Sequence, residues 1–356
     1  MFQLAIVGLG PAGIFTLASL PEDILPETLI LERSCIGGDL SSQYGSVIAN
    51  ITKEWFIKTF KTIPKWANQS FPELDGYQPT EPPKLADICK ILRRLIMPDV
   101  QKAHLHTTAL VNLVQTTDGW NLVTAKETYQ AKKVILCIGA TPKIMDLPLP
   151  SIPLPIALSQ DQLTHVVAPT DTIVVFGTSH SGTLVLRNLK NLGCTNVYAI
   201  YKGRDPFAIS TDPAMGPDGL RSPDGLRSPD GLRSPDGLRS EGLKLAGALV
   251  AQEINKSEWG SFTPTLVNYD DFAKIYRVLS KANAVIYAIG FEPRTFTYTN
   301  KTGTCGPITN DTPGIYGFGI GRPRMGKTPA GEVFVDIGFE GFIKAIQAEL
   351  PGILSA

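Results

Sequence analysis

Hydrophobic residues in this chain fall in two rhythms, short unbroken apolar runs and longer stretches with helical spacing. Phe2–Val7, Thr28–Leu31, Thr172–Phe176 and Asn196–Tyr201 are runs of four to six residues rich in Val, Ile, Leu and aromatics. Runs of that kind predict strands. After the first and third runs the pattern changes to helical spacing, over Ile14–Leu20 and Thr183–Asn191. The stretch KLADICKILRRLIM, Lys84–Met97, predicts a further helix, and GFEGFIKAIQAELPGI predicts a last one near the C-terminus. Between Ala109 and Ala140 three strands are expected, with Asp118-Gly119 as the first hairpin turn. Ser41–Pro83 has no clear period and reads as irregular structure with short helices. PKIMDLPLPSIPLPIAL, Pro142–Leu158, is too proline-dense for a helix or a central strand and reads as a linker.

The switches from strand to helix carry the chemistry. The first passes through Gly8-Leu9-Gly10-Pro11-Ala12-Gly13. In such a G-x-G-x-x-G turn Gly8 makes the tight bend, Gly10 lets a pyrophosphate approach the backbone, and Gly13 lets the helix pack on its strand. The anion then lies at a helix N-terminus, where free N–H groups and the helix dipole favour it. The next strand ends in Glu32, nineteen residues after Gly13, where a carboxylate can accept from ribose hydroxyls. The third apolar run ends in Gly177-Thr178-Ser179-His180-Ser181-Gly182, the same spacing with Ser179 in the place of the middle glycine. A serine there holds the phosphate slightly farther off but can donate to it. The strand that follows ends in Lys202 and Arg204 rather than an acid. Cations in that place suit the 2′-phosphate of NADP, and otherwise they are solvated strand-end charges. His180 has two open readings, a contact to the pyrophosphate or a cap on the helix.

These residues carry a resemblance. IVGLGPAG, LER and IGGDL together resemble the FAD-binding opening of flavoproteins with two dinucleotide-binding domains, a superfamily that includes thioredoxin reductases and flavin-containing monooxygenases. The resemblance implies an α/β fold of two Rossmann-like domains, the NADP domain inserted into the FAD domain. It implies that Glu32 and Arg33 hold the adenosine end, and that Gly37 and Gly38 pass close to the cofactor. Gly139, in CIGATP, marks the exit from the FAD domain, and Gly290, in NAVIYAIGFEPRT, the exit from the NADPH domain. GIYGFGIGRPR resembles the last FAD motif through Gly319, but Ile320 stands where many relatives have an aspartate. The second loop is similar to the NADPH loop of flavin-containing monooxygenases. The expected layout is an FAD-binding part over 1–147, an NAD(P)H-binding domain over 148–290, and a second FAD-binding part over 291–356.

Composition narrows the function further. At 356 residues the chain exceeds the roughly 250–300 at which single cores stop growing, which agrees with two domains. Lys plus Arg equals Asp plus Glu at 33 each, so there is no general pull toward nucleic acid or an anionic membrane. No stretch approaches the roughly 20 apolar residues of a membrane helix. Five scattered cysteines form no CxxC, and the four histidines form no metal-ligand spacing. A cytoplasmic protein is expected, and a redox dithiol is not. PDGLRS repeats four times over 217–240, each unit a turn signal, with as many Asp as Arg. It reads as an expanded surface loop, or else its arginines (Arg221, Arg227, Arg233, Arg239) reach the NADPH phosphates or a partner.

The expected function is hydride transfer from NADPH to FAD, followed by O₂-dependent monooxygenation of a small molecule. Two alternatives stand beside it: a reductase passing electrons to a quinone, ferredoxin or small disulfide, and a nucleotide-binding flavoprotein without turnover. Sequence assigns no catalytic side chain. Asn50 is suggested by resemblance alone, against the ordinary reading of a turn asparagine. Oligomeric state leaves no sign in the sequence.

Overall fold

The computed structural model describes residues 1–207, 243, 245–309, 311–327, 333–336 and 338–355. The PDGLRS repeat lies outside the described residues. Both strand-to-helix switches form as expected: Phe2–Val7 leads into helix Pro11–Ser19, and Thr172–Phe176 into helix His180–Asn191. Each helix starts three residues before its apolar run, because the loop residues themselves take up the first turn. Pro11 stands in that turn, where its missing N–H costs nothing.

Each strand–loop–helix unit seeds its own sheet. The first sheet is nine-stranded among the described residues. Its parallel part runs His104–Thr107, Thr28–Glu32, Phe2–Val7, Thr128–Leu136, with Ile315–Gly317 beside the last. Trp120–Thr124 and Leu110–Gln115 continue it as an antiparallel meander, followed by Thr297–Thr299 and Cys305–Pro307. The nine-residue Thr128–Leu136 strand serves two partners on one edge. Its first half pairs with Trp120–Thr124 and its last three residues pair with Ile315–Gly317.

The second sheet has five strands, all parallel, in the order Thr265–Asn268, Asn196–Tyr201, Thr172–Phe176, Ala284–Tyr287, Ser151–Ile152. Both sheets are covered on both faces, which is why their central strands are apolar without alternation. Leu4 and Ile6 pack into one cluster while Ala5 and Val7 pack into another. Ile173 and Val175 separate from Val174 and Phe176 in the same way. The fold is thus two Rossmann-like units, the second inserted into the first, because strands on both sides of it in the sequence return to the first sheet.

The proline-dense stretch is more ordered than its composition suggests. Ser151–Ile152 is an edge strand, and Leu154–Leu158 is a short helix with Pro153 as its N-cap and Pro155 in its first turn. Edge strands and first helical turns are the places that tolerate proline. The chain passes between the sheets twice, and the two passages pair with each other. Ala140–Pro142 runs antiparallel to Phe291–Pro293, and Lys143 N–H donates to the Gly290 carbonyl at 2.9 Å.

Candidate functional site

The two loops make the same close approaches. Gly8 has φ +93 and Gly177 has φ +96, in the left-handed region open to glycine. A Cβ on Gly8 would lie 2.4 Å from the Cys137 carbonyl oxygen, and one on Gly177 would lie 2.3 Å from that of Ala288. A Cβ on Gly13 would lie 2.0 Å from the Gly8 carbonyl oxygen, and one on Gly182 would lie 2.1 Å from that of Gly177. So in each unit the helix start, the loop and the neighbouring strand's end touch backbone to backbone.

Gly10 and Ser179 are the N-caps of the two helices, and neither is capped by a side-chain hydrogen bond. The first-turn N–H groups therefore remain for an anion. A Cβ on Gly10 would meet nothing nearer than the Gly37 carbonyl oxygen at 3.9 Å, so the backbone there faces open space.

That space belongs to a cavity of about 930 Å³, near the upper end of the range for ligand pockets. Of the residues singled out by sequence, Gly8, Gly10, Pro11, Ala12, Glu32, Arg33, Gly38, Gly139 and Gly319 line it. Gly13 is buried in the first turn of its helix, and Gly37 donates its N–H to the Leu9 carbonyl at 2.8 Å. Ile320 also lines the cavity, beside Gly319, which closes against Ala12.

Glu32 is buried and already engaged. Its Oε2 accepts from Leu9 N–H at 2.5 Å, and its Oε1 accepts from the Ser34 N–H at 2.8 Å and hydroxyl at 3.1 Å. A carboxylate has about four lone-pair positions, so one remains on Oε2 for a ribose hydroxyl. The uncapped helix start, the open face of Gly10 and this spare acceptor fit an adenine dinucleotide.

The second loop contributes only Ser181 to the same cavity. Thr178 is buried, and its hydroxyl donates to the Pro206 carbonyl. His180 opens its helix with the ring beside Gly247, where a Cβ would lie 2.8 Å from Nδ1, and Nδ1 is buried without a hydrogen-bond partner. Burial pushes this imidazole below its usual pKa, Arg187 adds to the effect, and the Ile48 backbone opposes it. Lys202 and Arg204 are exposed just past the Asn196–Tyr201 strand. Their turn is pinned by Asn268, whose side-chain amide donates to the Gly203 carbonyl at 3.0 Å. Gly290 is exposed at the passage between sheets and lines neither the cavity nor the second loop. Asn50 is exposed and also lies off the cavity.

Tyr44, Asp39 and Arg294 are among the cavity residues that the sequence reading did not single out. Tyr44 stacks edge-on against Phe291 with ring centroids 6.1 Å apart and packs against the core of the second unit. Burial, and then the Asp39 charge, push its phenol up to about 12, so it stays protonated. Asp39 accepts from both Arg33 and Arg294, 2.5 Å from each. Burial pushes its carboxyl up, but the two guanidinium groups outweigh that and hold it below its usual value. The signal for Asp39 was its place after Gly37-Gly38. Arg294 had none, since its partner lies 255 residues away.

All five cysteines are free. Cys137 is fully buried against Thr16, and burial pushes its thiol up to about 12. None of them forms a thiolate pair beside the cavity.

Known proteins resemble the chain in the same terms. The family described as Pyridine nucleotide-disulphide oxidoreductase matches residues 5–217. The chain is 24% identical over 399 residues to monooxygenase AgnR1 of Paecilomyces divaricatus, covering 99% of this chain and 97% of that protein. Its fold is similar to that of the bacillithiol disulfide reductase from Bacillus cereus, with a TM-score of 0.58, 14% identity and 99% of both chains covered. It is also similar to the Lactococcus lactis thioredoxin reductase, with a TM-score of 0.50, 14% identity and both chains covered completely. Likeness at that identity shows a shared fold. With more than half its length matched, the chain belongs to the pyridine nucleotide-disulphide oxidoreductases and is an oxidoreductase that depends on FAD and a pyridine nucleotide.

Proposed function

We propose that the enzyme takes hydride from NADPH onto FAD and uses the reducing equivalents to insert one oxygen atom of O₂ into a small molecule. The observation that carries this reading is the doubled loop, with Ser181 of the second unit lining the cavity of the first. The balance is NADPH, a proton, O₂ and substrate in, and NADP⁺, water and oxygenated substrate out. Bound in the cavity, FAD supplies a carrier that accepts hydride and passes electrons to oxygen.

The protein's residues orient and shield. The Pro11–Ser19 helix start and Gly10 receive the FAD pyrophosphate, and Glu32 takes a ribose hydroxyl on its spare lone pair. Gly139 and Gly319 bring backbone close to the cofactor. Gly177, Thr178, Ser179, Ser181 and Gly182 form the NADPH loop, with Lys202 and Arg204 on the 2′-phosphate. In this reading the FAD-binding parts are 1–147 and 291–356 and the NADPH-binding domain is 148–290. The monooxygenase outcome is supported by AgnR1, which matches along nearly the whole chain, and by the absence of a CxxC motif from the sequence. Five free cysteines suit a cytoplasmic location.

No helix among the described residues is long and apolar enough to cross a membrane, and the cavity is of a size for small molecules. The test is the flavin spectrum of purified protein, first with anaerobic NADPH, then with air and candidate substrates. Bleaching by NADPH in preference to NADH, followed by oxygen-dependent product carrying one atom from labelled O₂, is expected. Unlabelled product, or electrons passing only to a quinone, ferredoxin or disulfide, would replace the monooxygenase with a reductase. A protein that takes up no FAD would overturn the reading entirely.

A further inference from the structure

One charged cluster lies along the cavity wall, and it includes Arg33, which the resemblance set at the adenosine end. Asp39, near the start of helix Gly38–Gln43, accepts from Arg33 Nη2 on Oδ1 and from Arg294 Nη2 on Oδ2, each at 2.5 Å. Gln43 adds a longer hydrogen bond to Oδ1 at 3.2 Å. The other end of the Arg294 fork, Nη1, donates to the Ile138 carbonyl at 2.9 Å. The cluster therefore runs from Arg33, next to Glu32, past Asp39 to the strand end at Ile138.

Its middle lies close to the first-loop helix start. Asp39 follows Gly38, and a Cβ on Gly38 would lie 3.1 Å from the Gly10 Cα. Two guanidinium groups here share one carboxylate beside an uncapped helix N-terminus, while Glu32, whose oxygens are engaged by Leu9 and Ser34, and Glu292 line the same cavity. Arginine's planar fork matches phosphate oxygens as well as it matches a carboxylate. A diphosphate at Gly10 would compete with Asp39 for those two forks, and it would be repelled by the Asp39 charge.

We propose that Arg294 and Arg33 bind the diphosphate bridge of the FAD, and that Asp39 is the competing anion that holds both arginines in the ligand-free enzyme. The inference rests on the reading that the first-loop cavity takes FAD. It gives Asp39 a role opposite in sign to that of Arg294. If the cluster merely tied the returning strand to the first unit, losing either partner would weaken binding alike.

The test uses the full chain freed of flavin, with FAD binding read by quenching of its fluorescence, ADP by displacement of FAD, and riboflavin as the probe without a diphosphate. Arg294→Met is expected to weaken FAD and ADP roughly tenfold or more, the worth of a charge-assisted hydrogen bond, and to leave riboflavin unchanged. Arg294→Lys, which keeps the charge but not the fork, should recover only part of that loss. Asp39→Asn should tighten FAD and ADP severalfold. Weakening by Asp39→Asn, or an equal loss for riboflavin in Arg294→Met, would overturn the proposal while leaving the cavity assignment standing. Failure of the unsubstituted protein to bind FAD or ADP would overturn both. Should a variant not fold, the salt dependence of FAD binding by the unsubstituted protein decides, since a diphosphate held by two arginines must bind more weakly as salt rises and a flat response refutes it.

Discussion

Substituting Gly182 by alanine separates the two halves of the proposed reaction. The new Cβ would lie 2.1 Å from the Gly177 carbonyl oxygen and 2.8 Å from its carbon, where ordinary contact begins at 3.4 Å. The obstacle is backbone, so the start of the His180–Asn191 helix must move by about an ångström, against a core that holds Leu184, Val185, Leu186 and Leu189 fully buried. Overpacking of this kind costs roughly 1–3 kcal/mol, a loss a two-unit protein can survive. Displacing a bound reactant by about an ångström can cost on the order of a hundredfold in rate. Gly182→Ala should therefore purify with its flavin, be bleached normally by dithionite, and be bleached by NADPH about a hundredfold more slowly in an anaerobic stopped-flow measurement. Gly13→Ala, with its Cβ 2.0 Å from the Gly8 carbonyl oxygen, should lose the flavin instead. Flavin reduction by NADPH at the unsubstituted rate in Gly182→Ala, or equal flavin loss in both variants, would refute the assignment of one nucleotide to each loop.

Replacing Lys202 and Arg204 together by serine should raise the KM for NADPH roughly tenfold or more while leaving that for NADH nearly unchanged, as steady-state kinetics with both nucleotides would reveal. An aromatic disulfide reagent at neutral pH should modify Cys35 and Cys305, which are exposed, well before Cys89 and Cys137. Burial pushes those two thiols up to about 11 and about 12, so almost none is thiolate, and peptide mapping that found Cys137 labelled as fast as Cys35 would contradict the packing. Asp39 has a folded-state pKa below its ordinary 3.8, so its contribution to stability is complete above that value and is lost as pH falls through the lower folded value. In flavin-free protein the melting temperature of Asp39→Asn should therefore fall less steeply below pH 3.8 than that of the unsubstituted chain, and parallel curves would refute it.

Strands that are buried on both faces were legible as apolar runs, because the physical cause, helices on both sides of a parallel sheet, acts on every residue of the run. His104–Thr107 gave no such run. It is an edge strand whose four residues are all exposed or half-buried, so burial imposes no pattern on it. The helix Leu85–Val100 continues three residues beyond the expected stop at Met97 and holds Pro98 inside it; Val100 is buried there and Asp99 pairs with Lys65 at 3.3 Å. Ser41–Pro83 showed no period for a different reason. It holds the short helix Lys53–Phe60 among single turns tied by bonds within the segment, such as Ala49 N–H to the Pro83 carbonyl, and it delivers Phe56, Phe60, Trp66 and Leu74 to the core at irregular spacing.

The loops were legible for the opposite reason, since their glycines answer to distances rather than to burial. At Gly8, Gly13, Gly177 and Gly182 a single methyl group would fall within 2.5 Å of a backbone carbonyl oxygen, so the demand for glycine is set locally. Ser179 could replace a glycine because the middle position is exposed rather than packed against the protein, as at Gly10, where a Cβ would meet nothing nearer than 3.9 Å. Asp39 and Arg294 meet neither condition. Their pairing depends on how the chain returns from the second unit, through the Phe291–Pro293 strand beside Ala140–Pro142, and no property of either residue alone records that path. The part of the site built by a continuous loop was therefore readable in sequence, and the part built by the insertion of one unit into the other became visible only when the two passages of chain were seen to pair.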